Sequence, residues 1–188
     1  MTLTPLLFED SQPAVPGLRY AADLVSLDEG SDLVERFETL PFEPFDFRGF
    51  KGNRETVAFG SRYDFTRGRV KDAPSIPDWL GPLKARAAIW AGLPDESLGQ
   101  ALVTRYRPGA GIGWHRDRPD YDQIIGVSFV SPCVLRLRRR EGERWVRANA
   151  PLEPRSIYLL SGEVRDVWQH SITPGDTLRY SVTFRTAR

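Results

Sequence analysis

The feature that most constrains the fold is a series of short segments, rich in β-branched and aromatic residues, that fills the chain after residue 98. Turns containing Pro, Gly or Asp separate these segments, which follow one another at intervals of roughly ten residues. They read ALVTRY, QIIGVSFV, CVLRLRRR, ERWVRAN, RSIYLL, DVWQHSI and LRYSVTFR. This spacing predicts an antiparallel β-sandwich or a jelly-roll barrel.

Two helices are predicted upstream of these segments. The first has Ser31 as a candidate N-cap, apolar residues at helical spacing and Pro41 as its stop. The second begins near Pro77, with its regular part starting later, and ends at Gly92. Because the helices precede the strands, the chain is predicted to be α+β, with N-terminal helices flanking a β core.

The length of 188 residues is that of one structural domain. We expect an N-terminal arm at residues 1–17, an N-terminal extension at 18–97 and the β core at 98–188. The formal net charge of +1 means that contact with a polyanion depends on a local patch of charge.

The single cysteine, Cys133, excludes an intrachain disulfide and a cysteine-rich zinc site. No apolar run approaches the roughly 20 residues of a membrane span. The first residues have neither the basic start nor the long apolar stretch of a signal peptide. We therefore expect a cytoplasmic protein with no membrane partner, and a monomer.

Both histidines of the chain have features of metal ligands. His115 lies two residues before Asp117, and on a strand positions i and i+2 project to the same face. The other histidine, His170, lies in the strand-like segment DVWQHSI, which a barrel could bring beside the first. Two His and one carboxylate form the facial triad of non-haem Fe(II) oxygenases. The alternatives are that the spacing of His115 and Asp117 arises by chance, and that the histidines are ordinary core or surface residues.

The last predicted strand carries two arginines on one face. Arg179 and Arg185 are six residues apart, so both face the same side as Ser181 and Thr183, and Val182 lies on the other side. Two arginines inside a barrel need an anion, because buried charge is costly without a partner. A dicarboxylate would supply that anion. The alternative is a solvated face at the end of the chain.

Taken together, these motifs resemble the AlkB family of Fe(II)/2-oxoglutarate-dependent dioxygenases. The family combines a tyrosine, a Pro-Gly turn, an H-x-D pair, a distal histidine and a terminal R-Y-N-x-T-F-R segment. The corresponding residues of this chain are Tyr106, Pro108, Gly109, His115, Asp117, His170 and the segment RYSVTFR at 179–185. The resemblance is strong over residues 98–185 and weaker upstream.

This resemblance implies a double-stranded β-helix (jelly-roll) core and an enzyme, an oxidoreductase that uses Fe(II), 2-oxoglutarate and O₂. The catalytic residues it implies are the Fe(II) ligands, namely His115, Asp117 and His170. In the family, the region upstream of the core forms a lid over the substrate, which places such a lid within residues 18–97.

The resemblance also implies a binding site for 2-oxoglutarate. Arg179 would form a salt bridge with the distal carboxylate, helped by Tyr106, and Arg185 would position the cosubstrate near the metal. Thr104 and Ser181 stand where the family often has Asn. Both keep a hydrogen-bonding oxygen but are shorter than Asn, so the resemblance does not define their contacts with the cosubstrate.

Two basic segments are candidates for contact with nucleic acid. The segment VLRLRRREGERWVR places three arginines, Arg136, Arg138 and Arg140, on one face of a predicted strand, where they could follow a phosphate backbone. An arginine-rich face kept in solvent is the equal alternative. In the predicted lid, basic and aromatic residues are interleaved, as on surfaces that stack bases, and an ordinary loop-rich edge is the alternative. They are Arg48, Lys51, Arg54, Arg62, Arg67, Arg69 and Lys71, with Phe50, Phe59, Tyr63 and Phe65.

Three functions follow as hypotheses. The first is oxidative demethylation or hydroxylation of modified bases in DNA or RNA, including DNA repair, on a single strand or a flipped base. The second is the same chemistry on a protein side chain or a small molecule. The third is an inactive jelly-roll binding module. Arg118 follows Asp117 where repair enzymes of the family often carry another acid, so base preference is left open.

Overall fold

The computed structural model describes residues 15–47, 50–64 and 69–188, and for 46–47, 50–52, 61–64 and 69–72 it describes the backbone alone. The α-helices in this part of the chain are α1 (Leu27–Glu38), α2 (Gly81–Ala91) and α3 (Gly162–Asp166). The β-strands are β1 (Leu18–Ala21), β2 (Glu43–Phe47), β3 (Phe50–Phe59), β4 (Ser61–Asp64), β5 (Arg69–Asp72), β6 (Leu98–Tyr106), β7 (Ile112–His115), β8 (Tyr121–Phe129), β9 (Cys133–Glu141), β10 (Arg144–Leu152), β11 (Ile157–Leu160), β12 (Gln169–Ile172) and β13 (Arg179–Ala187). Each of the seven segments predicted after residue 98 therefore contains a strand, although DVWQHSI is a strand only from Gln169.

The strands form two main antiparallel sheets. The larger has the order β1-β11-β8-β13-β6-β3-β2 and the smaller the order β10-β9-β12-β7, while β4 and β5 form a separate hairpin. Consecutive strands β6, β7 and β8 alternate between the two sheets, as do β11, β12 and β13. This alternation is that of a jelly roll.

The pattern of side chains along β8 and β13 shows how the layers pack. Ile125 and Val127 on β8 and Val182 on β13 belong to an apolar cluster shared with α1 and α2. Ile124 belongs to a second cluster, which also contains Leu137 from the smaller sheet. Because successive side chains of a strand point to opposite faces, the larger sheet packs helices on one face and the smaller sheet on the other.

Helix α1 begins at a different serine from the one predicted. Ser26 is its N-cap: the Ser26 hydroxyl accepts from the Glu29 N–H at 3.1 Å, and Glu29 accepts from the Ser26 N–H at 2.9 Å. The prediction that Ser31 caps the helix is wrong, because Ser31 lies inside it and donates to the Leu27 carbonyl. The reciprocal pair satisfies two free N–H groups, which a serine alone cannot do.

Helix α2 follows a short 3₁₀ turn at Asp78–Leu80 and stops at Gly92, whose φ of 76° is left-handed. Both the late start and the glycine stop are confirmed. The chain has its one cysteine as a free thiol. In the described residues, no helix is long and apolar enough to cross a bilayer. The predicted boundaries of the arm, the extension and the core stay a prediction, and residues 1–14 of the arm lie outside the described part.

Phe37 holds α1 against the larger sheet and is fully buried. Its ring lies 5.2 Å from that of Phe129 and 5.7 Å from that of Tyr180. Phe37→Ala is expected to lower the free energy of unfolding by about 3–5 kcal/mol, since it leaves a cavity between the helix and the sheet. Chemical denaturation measures this loss. Leu27→Ala, in the same helix at a side chain that is 70% exposed, is the control and should change it by about 0.5 kcal/mol or less.

Candidate metal and cosubstrate site

The two histidines lie on neighbouring strands of the smaller sheet. His115 ends β7 and is paired with His170 on β12, so the two rings are 4.2 Å apart between centroids. Asp117 lies two residues beyond the end of β7, in the loop that follows. The prediction that it shares a strand face with His115 is therefore wrong in its geometry, although the loop brings its carboxylate to the same point.

These three side chains form a compact group of possible metal ligands. One donor atom from each of His115, Asp117 and His170 lies within 4.8 Å of the others. The His170 Nε2 is 3.5 Å from Asp117 Oδ2. Their side chains point between the two sheets, since His170 is paired on β9 with Leu137, a residue of the cluster between the sheets. The predicted convergence of distant residues is present.

The ring of His115 is held by the backbone. Its Nδ1 lies 2.8 Å from the Gly113 carbonyl oxygen. A carbonyl oxygen only accepts, so this contact assigns the proton to Nδ1 and leaves the lone pair of Nε2 for a metal. Such contacts beyond the ligands commonly orient metal-binding imidazoles.

Arg185 controls the charge of Asp117. Its Nη2 donates to Asp117 Oδ1 at 3.2 Å, and its Nη1 donates to Gln100 Oε1 at 3.0 Å. Burial alone would raise the pKa of the Asp117 carboxyl, but Arg185 and the two imidazoles hold that pKa well below its usual range. The carboxylate therefore stays charged, with Oδ2 directed toward His170.

A second arginine, not recognised from the sequence, holds the loop of Asp117. Arg165 on α3 is buried and donates to the Arg118 carbonyl and, at 2.6 Å, to the Tyr121 carbonyl. The two carbonyls lie on either side of the turn after Asp117. An isolated arginine in the segment SGEVRD has no sequence signal that would reveal this contact.

Arg179 presents an unmatched buried charge in the same interior. It is only 4% exposed, its Nε donates to Ser128 Oγ at 3.1 Å, and its guanidinium lies 4.9 Å from the centre of the Tyr106 ring. Its Nη1 is buried with no hydrogen-bond partner. No carboxylate of the described residues forms an ion pair with it. A buried guanidinium in this state is suited to an anionic ligand.

A row of hydroxyls lies beside Arg179. Ser181 on β13 is paired with Thr104 on β6 and with Ser128 on β8, and all three side chains are buried. Thr104 and Ser181 were predicted for the cosubstrate site. Ser128 was missed, although it stands at an inward position of the apolar segment QIIGVSFV, where a polar residue needs a partner.

Tyr158 on β11 is a further residue that the sequence did not single out. Its ring lies across Gly126 so closely that a Cβ on that glycine would come within 2.2 Å of it. Burial raises the pKa of the Tyr158 phenol, and the charge of Arg179 opposes that rise. Gly126 thus makes room for a neutral phenol in the interior that also contains Arg179 and Tyr106.

Two side chains of the predicted lid can be placed, and the others lie outside the described side chains. Phe59 is in the apolar core, so it has no role in a lid. Arg54 on β3 stacks 3.8 Å from the centre of the Phe45 ring. Burial is the main cause that lowers the pKa of Arg54; the nearby charge of Arg185 lowers it further, and Asp117 opposes it. The charge of Arg54 also lowers the pKa of His115, so it acts on the metal site.

The two tryptophans near the histidines differ in their environment. Trp168 is 1% exposed and packs in the cluster between the sheets. Trp114 points away from His115 and does not belong to either apolar cluster. It is half-buried on the outer face of the smaller sheet, beneath the guanidinium groups of Arg136 and Arg138.

The site fits iron and 2-oxoglutarate on its own chemistry. Two imidazoles and a carboxylate on one side of a point are the donor set of a facial triad, which leaves other positions open. The partnerless Nη1 of Arg179 fits a carboxylate of the cosubstrate. Arg185 is already engaged by Asp117, so the structure places it on a metal ligand; its predicted contact with the cosubstrate stays a prediction.

Comparison with known proteins agrees with this chemistry. The model of the 2OG-Fe(II) oxygenase superfamily matches residues 39–185. The alkylated DNA repair protein ALKBH8 homolog of Arabidopsis thaliana is 26% identical over 189 residues, covering 89% of this chain and 54% of that protein. The alpha-ketoglutarate-dependent dioxygenase AlkB of Escherichia coli (strain K12) is 30% identical over 131 residues, covering 62% and 58%. The solved structure of OsALKBH1 has a TM-score of 0.73 at 17% identity, covering 93% of this chain and 99% of that one.

The fold and the largely buried triad are those of the non-haem iron oxygenases of the jelly-roll type. The chain belongs to the 2OG-Fe(II) oxygenase superfamily, and within it is AlkB-like. The cofactors of that superfamily are Fe(II), 2-oxoglutarate and O₂, as the resemblance implied. The similarity to OsALKBH1 confirms the predicted jelly-roll fold. The chain spans about half the length of the two curated relatives described here.

The affinity of the triad for a divalent metal is expected to depend only weakly on pH between about pH 7 and about pH 5.5. Burial lowers the pKa of His170 to about 4 and lowers that of His115 as well. Protonation of His170 therefore does not compete with the metal in this range, and protonation of His115 competes less than that of an ordinary imidazole. Co(II) affinity should then fall less than about tenfold from about pH 7 to about pH 5.5, where two ordinary imidazoles would lose about a hundredfold. Calorimetric titration at the two pH values measures this. A hundredfold loss would show that burial does not control the two ligands.

Proposed function

We propose that this protein is an Fe(II)/2-oxoglutarate-dependent dioxygenase that oxidatively demethylates or hydroxylates modified bases in DNA or RNA. The observation that carries the proposal is a largely buried His-Asp-His triad in the same interior as Arg179, a buried arginine that forms no ion pair with a described carboxylate. The names of the relatives point the same way, since one is an alpha-ketoglutarate-dependent dioxygenase and another an alkylated DNA repair protein.

In this proposal His115, Asp117 and His170 hold Fe(II), and Arg179 pairs with the distal carboxylate of 2-oxoglutarate. The bound cofactors supply C–H hydroxylation coupled to decarboxylation of the cosubstrate to succinate. If the target carbon is an N-methyl group, the hydroxylated product loses formaldehyde. The chain's own contribution is orientation: Gly113 sets the tautomer of His115, and Arg185 keeps Asp117 charged.

The polarity of the site favours a nucleotide over an apolar substrate. The charge of Arg54 acts on His115, and Arg54 forms no ion pair with a described residue, so its guanidinium could bind a phosphate. Nucleic-acid-binding proteins hold backbone phosphates with such cations, while the flipped base itself is held by stacking and hydrogen bonds. We further infer that the protein is a cytoplasmic monomer.

Succinate release tests the proposal. Protein loaded anaerobically with Fe(II) is given 2-oxoglutarate and O₂ with methylated single-stranded DNA, methylated single-stranded RNA or methylated peptides. Turnover above background with either nucleic acid is expected. Turnover with peptides alone would assign the same chemistry to a protein substrate. Absence of turnover together with absence of 2-oxoglutarate binding would make the protein an inactive binding module.

A further inference from the structure

The outer face of the smaller sheet carries alternating guanidinium and indole groups. We call this surface the arginine–tryptophan face. Cross-strand pairing places Arg140 beside Trp145 and Arg138 beside Arg147, and directly paired residues of antiparallel strands share a face. Its residues are Trp114 on β7, Arg136, Arg138 and Arg140 on β9, and Trp145 and Arg147 on β10.

The indole rings hold the guanidinium groups in place. Arg138 lies between two rings, 4.3 Å from the centre of Trp114 and 4.2 Å from that of Trp145. Arg136 stacks on Trp114 at 5.0 Å, and Arg140 stacks on Trp145 at 4.9 Å. A stacked guanidinium keeps the N–H groups at its edge available to other acceptors, and because it is already ordered it loses less freedom when it binds.

The positive charge of this face is not neutralised by described residues. Arg136 and Arg138 donate to the uncharged Ser171 and Gln169, and no described carboxylate forms an ion pair with any of the four arginines. The contrast is Arg139 on the opposite face, which pairs with two glutamates. Desolvation lowers the pKa of Arg138, and the charges of Arg147 and Arg136 lower it further, because neighbouring cations disfavour its charged form. In a chain of net charge +1, this is a strong local excess.

The face is directly behind the metal site. β7 is the edge strand of the smaller sheet and carries Trp114 on the outer side and His115 on the inner side. A polymer that passes around this edge would therefore have one part near the metal and the next part on the arginine–tryptophan face. Arg136, Arg138 and Arg140 repeat every second residue, about 6.6–6.8 Å apart, close to the separation of successive phosphates in an extended polynucleotide.

We propose that the arginine–tryptophan face binds the phosphate backbone of single-stranded nucleic acid outside the catalytic pocket. This proposal rests on the proposed function in one respect, namely that the nucleic-acid strand bound at this face is the substrate of the enzyme. It explains why the arginines stacked on tryptophan form no ion pair with the carboxylates that the structure describes: their partner is a polyanion. The uncharged partners Ser171 and Gln169 position two of the guanidinium groups without neutralising them.

Fluorescence anisotropy with a labelled 20-residue oligouridylate, and with oligothymidylate of equal length, tests the proposal. Arg138→Gln/Arg147→Gln is expected to weaken binding roughly tenfold to thirtyfold at about 0.1 M salt, and to reduce the slope of log K against log salt by about 1.4, since each phosphate contact to a single strand contributes about 0.7. Comparing the two oligonucleotides shows whether RNA or DNA is preferred.

The matched control is Arg19→Gln/Arg36→Gln, which removes two arginines stacked on Trp90 and Trp79 far along the chain from this face. It removes the same charge and should leave affinity and slope nearly unchanged. Equal losses in both double variants, or no loss in the first, would overturn the proposal. If Arg138→Gln/Arg147→Gln folds poorly, Arg147→Glu alone is the substitute, because Arg147 is exposed and forms no ion pair with a described residue.

Measuring oligonucleotide binding and turnover together distinguishes failure of this proposal from failure of the proposed function. If the face binds nucleic acid but the pocket acts on another substrate, the double variant still binds the oligonucleotides more weakly than wild type does. Methylated oligonucleotides are then not oxidised by either protein. If the pocket oxidises bases but the face is idle, the double variant keeps wild-type KM on methylated oligonucleotides of 20 residues and of three. The proposal expects KM to rise about tenfold for the long substrate alone.

Discussion

Asp117→Ala is expected to lower Fe(II) affinity by more than about a hundredfold and to abolish succinate release. The substitution removes the one anionic donor of the triad, and even removal of groups that only orient ligands costs 10–100-fold. Anaerobic titration with Fe(II) measures the affinity, and circular dichroism checks that the fold is retained. Full activity in this variant would mean that the three side chains do not form the metal site.

A neighbouring aspartate provides the control for this prediction. Asp120 lies in the same loop and pairs with Arg118 at 2.9 Å, in a partly exposed contact. Asp120→Ala removes an acid of the same loop without removing a donor of the triad, so Fe(II) affinity should change by less than about twofold, in keeping with the small effect of surface ion pairs. A loss comparable to that of Asp117→Ala would mean that loop structure, and not ligation, underlies both results.

Arg179→Gln is expected to raise the KM for 2-oxoglutarate about a hundredfold. The guanidinium is 4% exposed and no described carboxylate forms an ion pair with it, so its charge is available to the cosubstrate. A charge-assisted, desolvated pair of this kind is worth about 2–5 kcal/mol. Succinate release at varied 2-oxoglutarate concentration measures KM. An unchanged KM would mean that the cosubstrate lies elsewhere.

Thermal unfolding without cosubstrate distinguishes binding from support of the fold. A buried cation without an anion does not stabilise a protein, so Arg179→Gln should leave the melting temperature equal to or above that of wild type. Arg179→Lys keeps the charge but not the planar fork, and should recover only part of the affinity for 2-oxoglutarate. A large fall in melting temperature would make Arg179 a structural residue.

Much of the β core could be predicted because its signals are local. The alternation of apolar and polar residues along β13 assigns Val182 to one face and Arg179 to the other, and the structure places them there. The glycine stop of α2 is equally local, since Gly92 adopts the left-handed conformation that favours glycine. The N-cap of α1 was predicted wrongly because Ser26 and Ser31 are both serines near the start of the helical pattern. The reciprocal hydrogen bonds with Glu29 make Ser26 the N-cap.

The two contacts that complete the site could not be predicted because they join residues distant in sequence. Arg185 reaches Asp117 across 68 positions, and Arg165 reaches the carbonyls of Arg118 and Tyr121 across 47 and 44. Nothing in the local pattern separates an arginine that holds a metal ligand from one that binds a cosubstrate. The environment of Trp114 could not be predicted for the same reason, since the guanidinium groups that cover it come from another strand.

The amino-acid sequence by itself predicted seven strands of the β core, the three candidate metal ligands and the common face of Arg179 and Arg185, because these depend on residue type and on a two-residue repeat. Only the tertiary structure decided that Arg185 pairs with Asp117, that Arg179 forms no ion pair with a described carboxylate, and that three arginines stack on two tryptophans behind the metal site. Charge pairing depends on distance in space, and pairing between strands brings together residues that are far apart along the chain.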